Sequence, residues 1–197
     1  MFKVSRLIIV SLFISLTGCE VLHQCYCPPP LEHKAIIGAY PAQMPPIPYG
    51  RRVVLVGGVF DIVHYGHLEF LEAAKKQGDY LVVALEPDVF VQQHKHREPV
   101  HSQLQRAEIL SRLAVVDQVV MLSPMHGYND YLRLVEMVRP QIIAVTEGEP
   151  HLMEKEKQAA HVGAKVSTVM MRNGEFSTRN ILSHLCFKVV RKDAVTY

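Results

Sequence analysis

GGVFDIVHYGHLEFL, Gly57–Leu71, puts a glycine pair, an aspartate and two histidines into one short stretch directly after an apolar run. The run itself, Val53–Val56, predicts a short buried strand, and Tyr65–Gln77 carries Leu68, Leu71 and Ala74 on one helical face. Lys75 and Lys76 fall late in that helix, and Gly78 can supply a left-handed stop. The stretch is therefore a strand-to-helix turn. His64 and His67, spaced i, i+3, share one side of the first helical turn. A packed core requires neither imidazole, whereas a phosphate can use both. The helix start offers unpaired amides and the positive end of the helix dipole. Gly57, Gly58 and Gly66 allow backbone and a bulky group to come close. Asp61 is placed to brace the turn by accepting backbone amides.

Working outward, strands and helices alternate. Tyr80–Leu85 is a continuous apolar run, as expected of a strand buried on both faces. Glu86–His101 is polar and reads as loop, with His94, His96 and His101 solvated rather than gathered on a metal. Ser102–Ala114 has helical spacing, Val115–Leu122 contains a third strand, and Tyr128–Val138 is a helix ended by Pro140. Gln141–Val145 and Lys165–Met170 read as the fourth and fifth strands, Leu152–His161 as the helix between them, and Ser177–Leu185 as the start of a last helix. This pattern predicts an α/β fold: a Rossmann-like, doubly wound parallel sheet of about five strands in a single domain.

The 197 residues, 49% hydrophobic and 20% charged, suit one domain plus an appendage. A net charge of +2 with no basic block, and no tryptophan, argue against nucleic acid as a partner. The cysteines, Cys19, Cys25, Cys27 and Cys186, do not form a disulfide framework for the domain. Residues 1–19 combine Lys3 and Arg6, a short apolar stretch and Leu16-Thr17-Gly18-Cys19, which is signal-like or lipoprotein-signal-like, with Cys19 as the lipidated position. Residues 20–50 are proline-rich and read as an extended tether, 51–188 as the folded domain, and 189–197 as a tail. A start at Met44 instead would leave a plain cytoplasmic domain, and membrane attachment follows only if the N-terminal segment is genuine.

Gly58–His67, GVFDIVHYGH, resembles the signature of the nucleotidylyltransferase superfamily that carries an HxGH motif, in its cytidylyltransferase-like branch. That branch includes glycerol-3-phosphate, phosphocholine and phosphoethanolamine cytidylyltransferases, heptose-1-phosphate adenylyltransferase and an archaeal-type FAD synthetase. The similarity runs from about Val53 to Leu185. MRNGEFSTRNI, Met171–Ile181, is similar to the branch's RTxGxSTxxI segment and stands at the matching place after the last strand. Arg97–Val100, REPV, is similar to the Arg-Pro-Val of the heptose group with one residue inserted.

The resemblance implies an enzyme that transfers CMP or AMP from CTP or ATP to a small phosphorylated alcohol or sugar and releases pyrophosphate. It implies that Gly58, Val59, Phe60, Asp61 and Gly66 line the nucleotide phosphates and that His64 and His67 form the HxGH pair. Arg106, in LQRAEIL, would reach the phosphates. Arg172, Phe176, Ser177, Thr178 and Arg179 would hold the triphosphate. Lys95, with Arg97 as competitor, would be the loop lysine that binds both substrates. Mg²⁺ is expected on the phosphates, with no protein ligand identifiable, and a homodimer is a family expectation. AVTEGEP stands where the heptose group has Lys-Gly-Gly-Asp and the glycerol group Met-Gly-Asp-Asp, so Glu147 and Glu149 bring negative charge toward an anionic substrate. The alternative is a membrane-anchored domain of the same fold that binds nucleotide without transferring it.

Overall fold

The computed structural model describes residues 34–171, 178 and 180–182. The signal-like segment with Cys19, the first part of the expected tether, Arg172, Phe176, Ser177, Arg179 and the 189–197 tail lie outside the described residues. In chain order the elements are β1 (Ile36–Ala39), β2 (Val53–Gly58), α1 (Tyr65–Lys75), β3 (Tyr80–Leu85), α2 (Asp88–Lys95), α3 (Gln103–Ser111), β4 (Gln118–Met121), α4 (Tyr128–Val138), β5 (Ile142–Thr146), α5 (Leu152–His161) and β6 (Lys165–Met170).

The strands form one parallel sheet in the order β1-β4-β3-β2-β5-β6. Alternate side chains of β2 and β3 feed two cores, because successive residues of a strand point to opposite faces. Val54, Val56, Leu81, Val83 and Leu85 meet Phe70, Leu71 and Ala74 of α1 and Ala107 and Leu110 of α3. Val53, Leu55, Val82 and Ala84 share the other core with Leu134, Val135 and Val138 of α4 and Ala159 of α5. Burial on both faces explains why these strands read as unbroken apolar runs. The chain steps from β2 through β3 to β4, then returns along α4 to β5 on the other side of β2. The strand order therefore reverses between β2 and β5, and ligands of such sheets bind at the carboxyl ends of the strands beside that reversal.

Three expectations need correction. The sheet has six strands, and the additional one lies inside the segment expected to be a tether. β1 pairs with β4 from Ile36↔Gln118 to Ala39↔Met121. It is fixed further by Ala35 N–H donating to Ser111 O (2.7 Å) and by Tyr40 N–H donating to Met121 O (2.8 Å). Ala35 and Tyr40 are buried, one in each core. The prolines that masked this strand, Pro41, Pro45, Pro46 and Pro48, all follow it and so cost it no ladder hydrogen bond. The folded domain thus begins before residue 51. A chain started at Met44 would leave the edge of β4 unpaired, and we expect removal of residues 1–43 to lower the melting temperature by more than about 5 °C in thermal unfolding. An unchanged melting temperature would contradict the role given to β1.

The polar stretch after β3 is not all loop. Asp88–Lys95 is a helix with Asp88 in its first turn, Val91 buried and the His94 ring stacked on Phe90 with centroids 4.1 Å apart. Gly78, finally, does not provide a left-handed stop. The C-cap of α1 is Lys76 in right-handed conformation. Gly78 is required by close approach, since a Cβ there would press into the Arg52 carbonyl and the Val54 side chain.

Candidate active site

The turn after β2 is held in an unusual backbone conformation. Phe60 and Ile62 have φ of 49° and 59°, a left-handed region that side-chain-bearing residues seldom adopt. Phe60 is buried, and its ring occupies the space a Cβ on Gly58 would need, whereas nothing lies within 4 Å of such an atom on Gly57. The glycine pair is thus split in purpose: Gly58 admits the Phe60 ring, and Gly57 leaves open space.

Asp61 fixes the turn to the segment after α2. Its carboxylate is 1% exposed and pairs with Arg97 at 2.6 Å. It also accepts the amides of Val100 and His101, each at 3.1 Å. Burial pushes its carboxyl up, but the Arg97 guanidinium and the two amides outweigh burial and hold it below the usual range. The amides that Asp61 braces are therefore those of a distant loop, not of its own turn. Its carbonyl accepts a 2.6 Å hydrogen bond from the Thr178 hydroxyl, which ties the last segment to the same turn. The Thr178 proton is accordingly directed to backbone rather than to phosphate.

His64 sits at the N-cap of α1 and makes no capping hydrogen bond, and the first turn carries no acidic residue. The rings of His64 and His67 are stacked, with centroids 3.7 Å apart, and Phe60 lies tilted against His67 at 5.1 Å. Nδ1 of each imidazole is buried without a hydrogen-bond partner among the described residues. Burial lowers both pKa values, and the nearby His64 adds to the effect on His67, which falls to about 4 despite a hydrogen bond to the Ile62 backbone. Both rings are therefore neutral near pH 7; His67 donates its one N–H to the Ile62 backbone, and His64 has one N–H to present. The folded value of His67 lies below its ordinary 6.5, so unfolding takes up a proton between the two. The stability tied to this group is complete above pH 6.5 and is lost as pH falls toward about 4. We expect His67→Leu to flatten the acid side of a melting-temperature profile over that window; an unchanged slope would contradict the assignment.

Arg106 does not reach toward a phosphate. It is fully buried, and its Nη1 donates to Val59 O. Nε donates to His101 O (3.1 Å), and Nη2 to Glu86 O (2.9 Å) and Asp88 Oδ1 (2.7 Å). It clamps the backbone of the turns after β2 and β3 together. Arg97 is committed to Asp61, while Lys95 is exposed at the end of α2. Gly66 is buried in the first turn of α1.

Across the crevice, β5 ends in an irregular register between Val145 and Thr146. Glu149 does not present free charge, because it pairs with Lys155 at 3.1 Å. Burial raises its pKa, but Lys155 outweighs burial and the carboxyl lies low. Glu147 is exposed. Sequence reasoning missed this ion pair, and it missed Glu86 and Tyr131, which share a 2.9 Å hydrogen bond. The available signal was a carboxylate placed directly after a fully buried strand. A groove of about 850 Å³ lined by 44–53 and 137–141 lies at the amino ends of β2 and β5, away from these residues.

The sequence profile of the family described as cytidylyltransferase-like matches residues 55–173. An FAD synthase from Thermococcus onnurineus is 44% identical over 105 residues, 53% of this chain and 68% of that protein. The bifunctional protein HldE of Geotalea uraniireducens is 34% identical over 139 residues, 69% of this chain but 27% of the relative. Among solved structures, the lipopolysaccharide core biosynthesis protein from Thermoplasma volcanium superposes with a TM-score of 0.52 at 29% identity, over 65% of this chain and 100% of that one. By its fold, its turn and these matches, the chain belongs to the cytidylyltransferase-like family and is a nucleotidyltransferase.

Proposed function

We propose that the chain transfers AMP or CMP from the triphosphate to the phosphate of a small phosphorylated alcohol or sugar, with ATP and FMN the first pair to test. The observation that carries this reading is the stacked His64–His67 pair at the uncapped start of α1, with Nδ1 of each ring lacking a hydrogen-bond partner among the described residues. An acceptor phosphate oxygen attacks the α-phosphorus in line; the bond to the bridging oxygen breaks, and pyrophosphate leaves with the electron pair. The nucleophile is already an anion, so positioning and charge stabilisation carry the rate. The His64 N–H and the opening amides of α1 receive the charge that builds on the transferring group, with the His67 ring stacked behind His64. Lys95 and Arg172 supply further positive charge to the phosphates, and Phe176, Ser177 and Arg179 complete the nucleotide site. The similarity to FAD synthases supports ATP as donor and FMN as acceptor.

Among the described residues no three His, Cys, Asp or Glu are grouped to hold a metal. Mg²⁺, which the resemblance implies, would neutralise charge on the substrate phosphates. Among the described residues no helix is long and apolar enough to cross a membrane. Dependence on a nucleoside triphosphate favours a cytoplasmic catalytic domain, as a homodimer; a Cys19 anchor belongs to the alternative, and fractionation and sedimentation test both.

Pyrophosphate release tests the reading. ATP and CTP are offered in turn with FMN, heptose 1-phosphate, glycerol 3-phosphate, phosphoethanolamine and phosphocholine. Release that requires one donor and one acceptor together is expected. A folded protein that binds nucleotide and releases none with any pair would favour the anchored, non-transferring alternative.

A further inference from the structure

Glu86 follows β3 at the carboxyl edge of the sheet. Its N–H donates to Gly58 O at 3.0 Å, and its carbonyl accepts Arg106 Nη2 at 2.9 Å, so its backbone is locked to the end of β2. The residue is 7% exposed. Oε1 accepts from the Tyr131 hydroxyl at 2.9 Å, while Oε2 is buried with no partner among the described residues. The basic side chains it faces come from three helices: Lys155 of α5, His94 of α2 and Arg106 of α3. A buried carboxylate oxygen without a partner is costly, and an apolar residue of similar size would avoid that cost. The phosphoryl chemistry does not use it, since a carboxylate repels phosphate. Burial pushes the Glu86 carboxyl above its ordinary range, and what an unpaired carboxyl oxygen in such a place fits is a neutral hydrogen-bonding group such as a hydroxyl.

We propose that Glu86, oriented by Tyr131, is a specificity-determining residue that accepts a hydrogen bond from a hydroxyl of the phosphorylated acceptor. The inference rests on the reading that the chain transfers a nucleotidyl group to a phosphorylated alcohol or sugar. Glu86 and the cations around it divide the acceptor's recognition: phosphate toward the histidine turn, hydroxyl toward the α4–α5 face. A site built to bond a substrate hydroxyl discriminates strongly against an acceptor that lacks one.

The probes are FMN, heptose 1-phosphate and phosphocholine; the last has a phosphate and no alcohol hydroxyl. Glu86→Met is expected to raise the KM for FMN or heptose 1-phosphate at least about tenfold, leave the KM for the nucleotide within about twofold, and be partly rescued by Glu86→Gln, which still hydrogen-bonds. A KM that rises equally for both substrates, or a native preference for phosphocholine, overturns the proposal. Two further measurements do not depend on turnover. The double variant Glu86→Met/Tyr131→Phe, without ligands, should melt at or above the native temperature, because both partners are replaced by apolar groups of like shape. A fall of more than about 5 °C would assign the pair to holding the fold and overturn the proposal. Should the native chain turn over none of the probes, the transferase reading fails by itself; FMN fluorescence quenching then decides Glu86, with weaker binding by Glu86→Met supporting it and equal binding overturning it.

Discussion

His67→Ala is expected to lower kcat by about 10²–10³, the usual effect of removing one preorganised donor from a site of developing charge. The ring is stacked on His64 and against Phe60, and it makes no side-chain hydrogen bond through Nδ1 to the described residues. Its removal costs the turn one hydrogen bond, to the Ile62 backbone. The KM for the triphosphate should change much less than kcat, because the opening amides of α1 and the cations around the phosphates remain. Steady-state kinetics on a variant with native circular dichroism checks this. Full activity would exclude the histidine pair from the chemistry.

Arg106→Met should have the largest effect on stability, about 3–5 kcal/mol, as expected when one partner of a buried charged network is removed. The side chain is 0% exposed and serves four acceptors: the carbonyls of Val59, Glu86 and His101 and the Asp88 carboxylate. Losing it leaves three backbone carbonyls short of a donor at the edge of the site. Arg106→Lys should recover little, because one ammonium cannot span acceptors that the guanidinium reaches from three nitrogens. Urea unfolding gives the difference directly. A loss below about 1 kcal/mol would mean that the clamp does not hold these turns. The resemblance implies Arg106 on the phosphates; in the structure it holds the turns after β2 and β3 together.

Much of the architecture could be read from the chain because its causes are local. The runs Val53–Val56 and Tyr80–Leu85 are apolar since helices cover both faces, and Leu152–His161 and Lys165–Met170 keep their boundaries in the structure. The histidine turn was legible for the same reason: glycine, aspartate and histidine spacings act within one turn. β1 was hidden because four residues, IIGA, set among prolines carry little periodicity, and their partner β4 is about eighty residues away. α2 was hidden because Val91 is its one buried residue. The Asp61–Arg97, Glu149–Lys155 and Glu86–Tyr131 pairs depend on how loops from different strands meet, which no spacing in one segment reports.

The central claim is that the α-phosphorus is the one attacked. The most direct test is to incubate the purified chain with Mg²⁺, FMN and ATP labelled at either the α- or the γ-phosphate, and in parallel with CTP and each other acceptor. α-Label is expected to enter a new product containing the acceptor and γ-label to leave in pyrophosphate, both about 10²–10³ more slowly with His67→Ala. Transfer of γ-label to the acceptor, or α-label appearing as free nucleoside monophosphate, would contradict it.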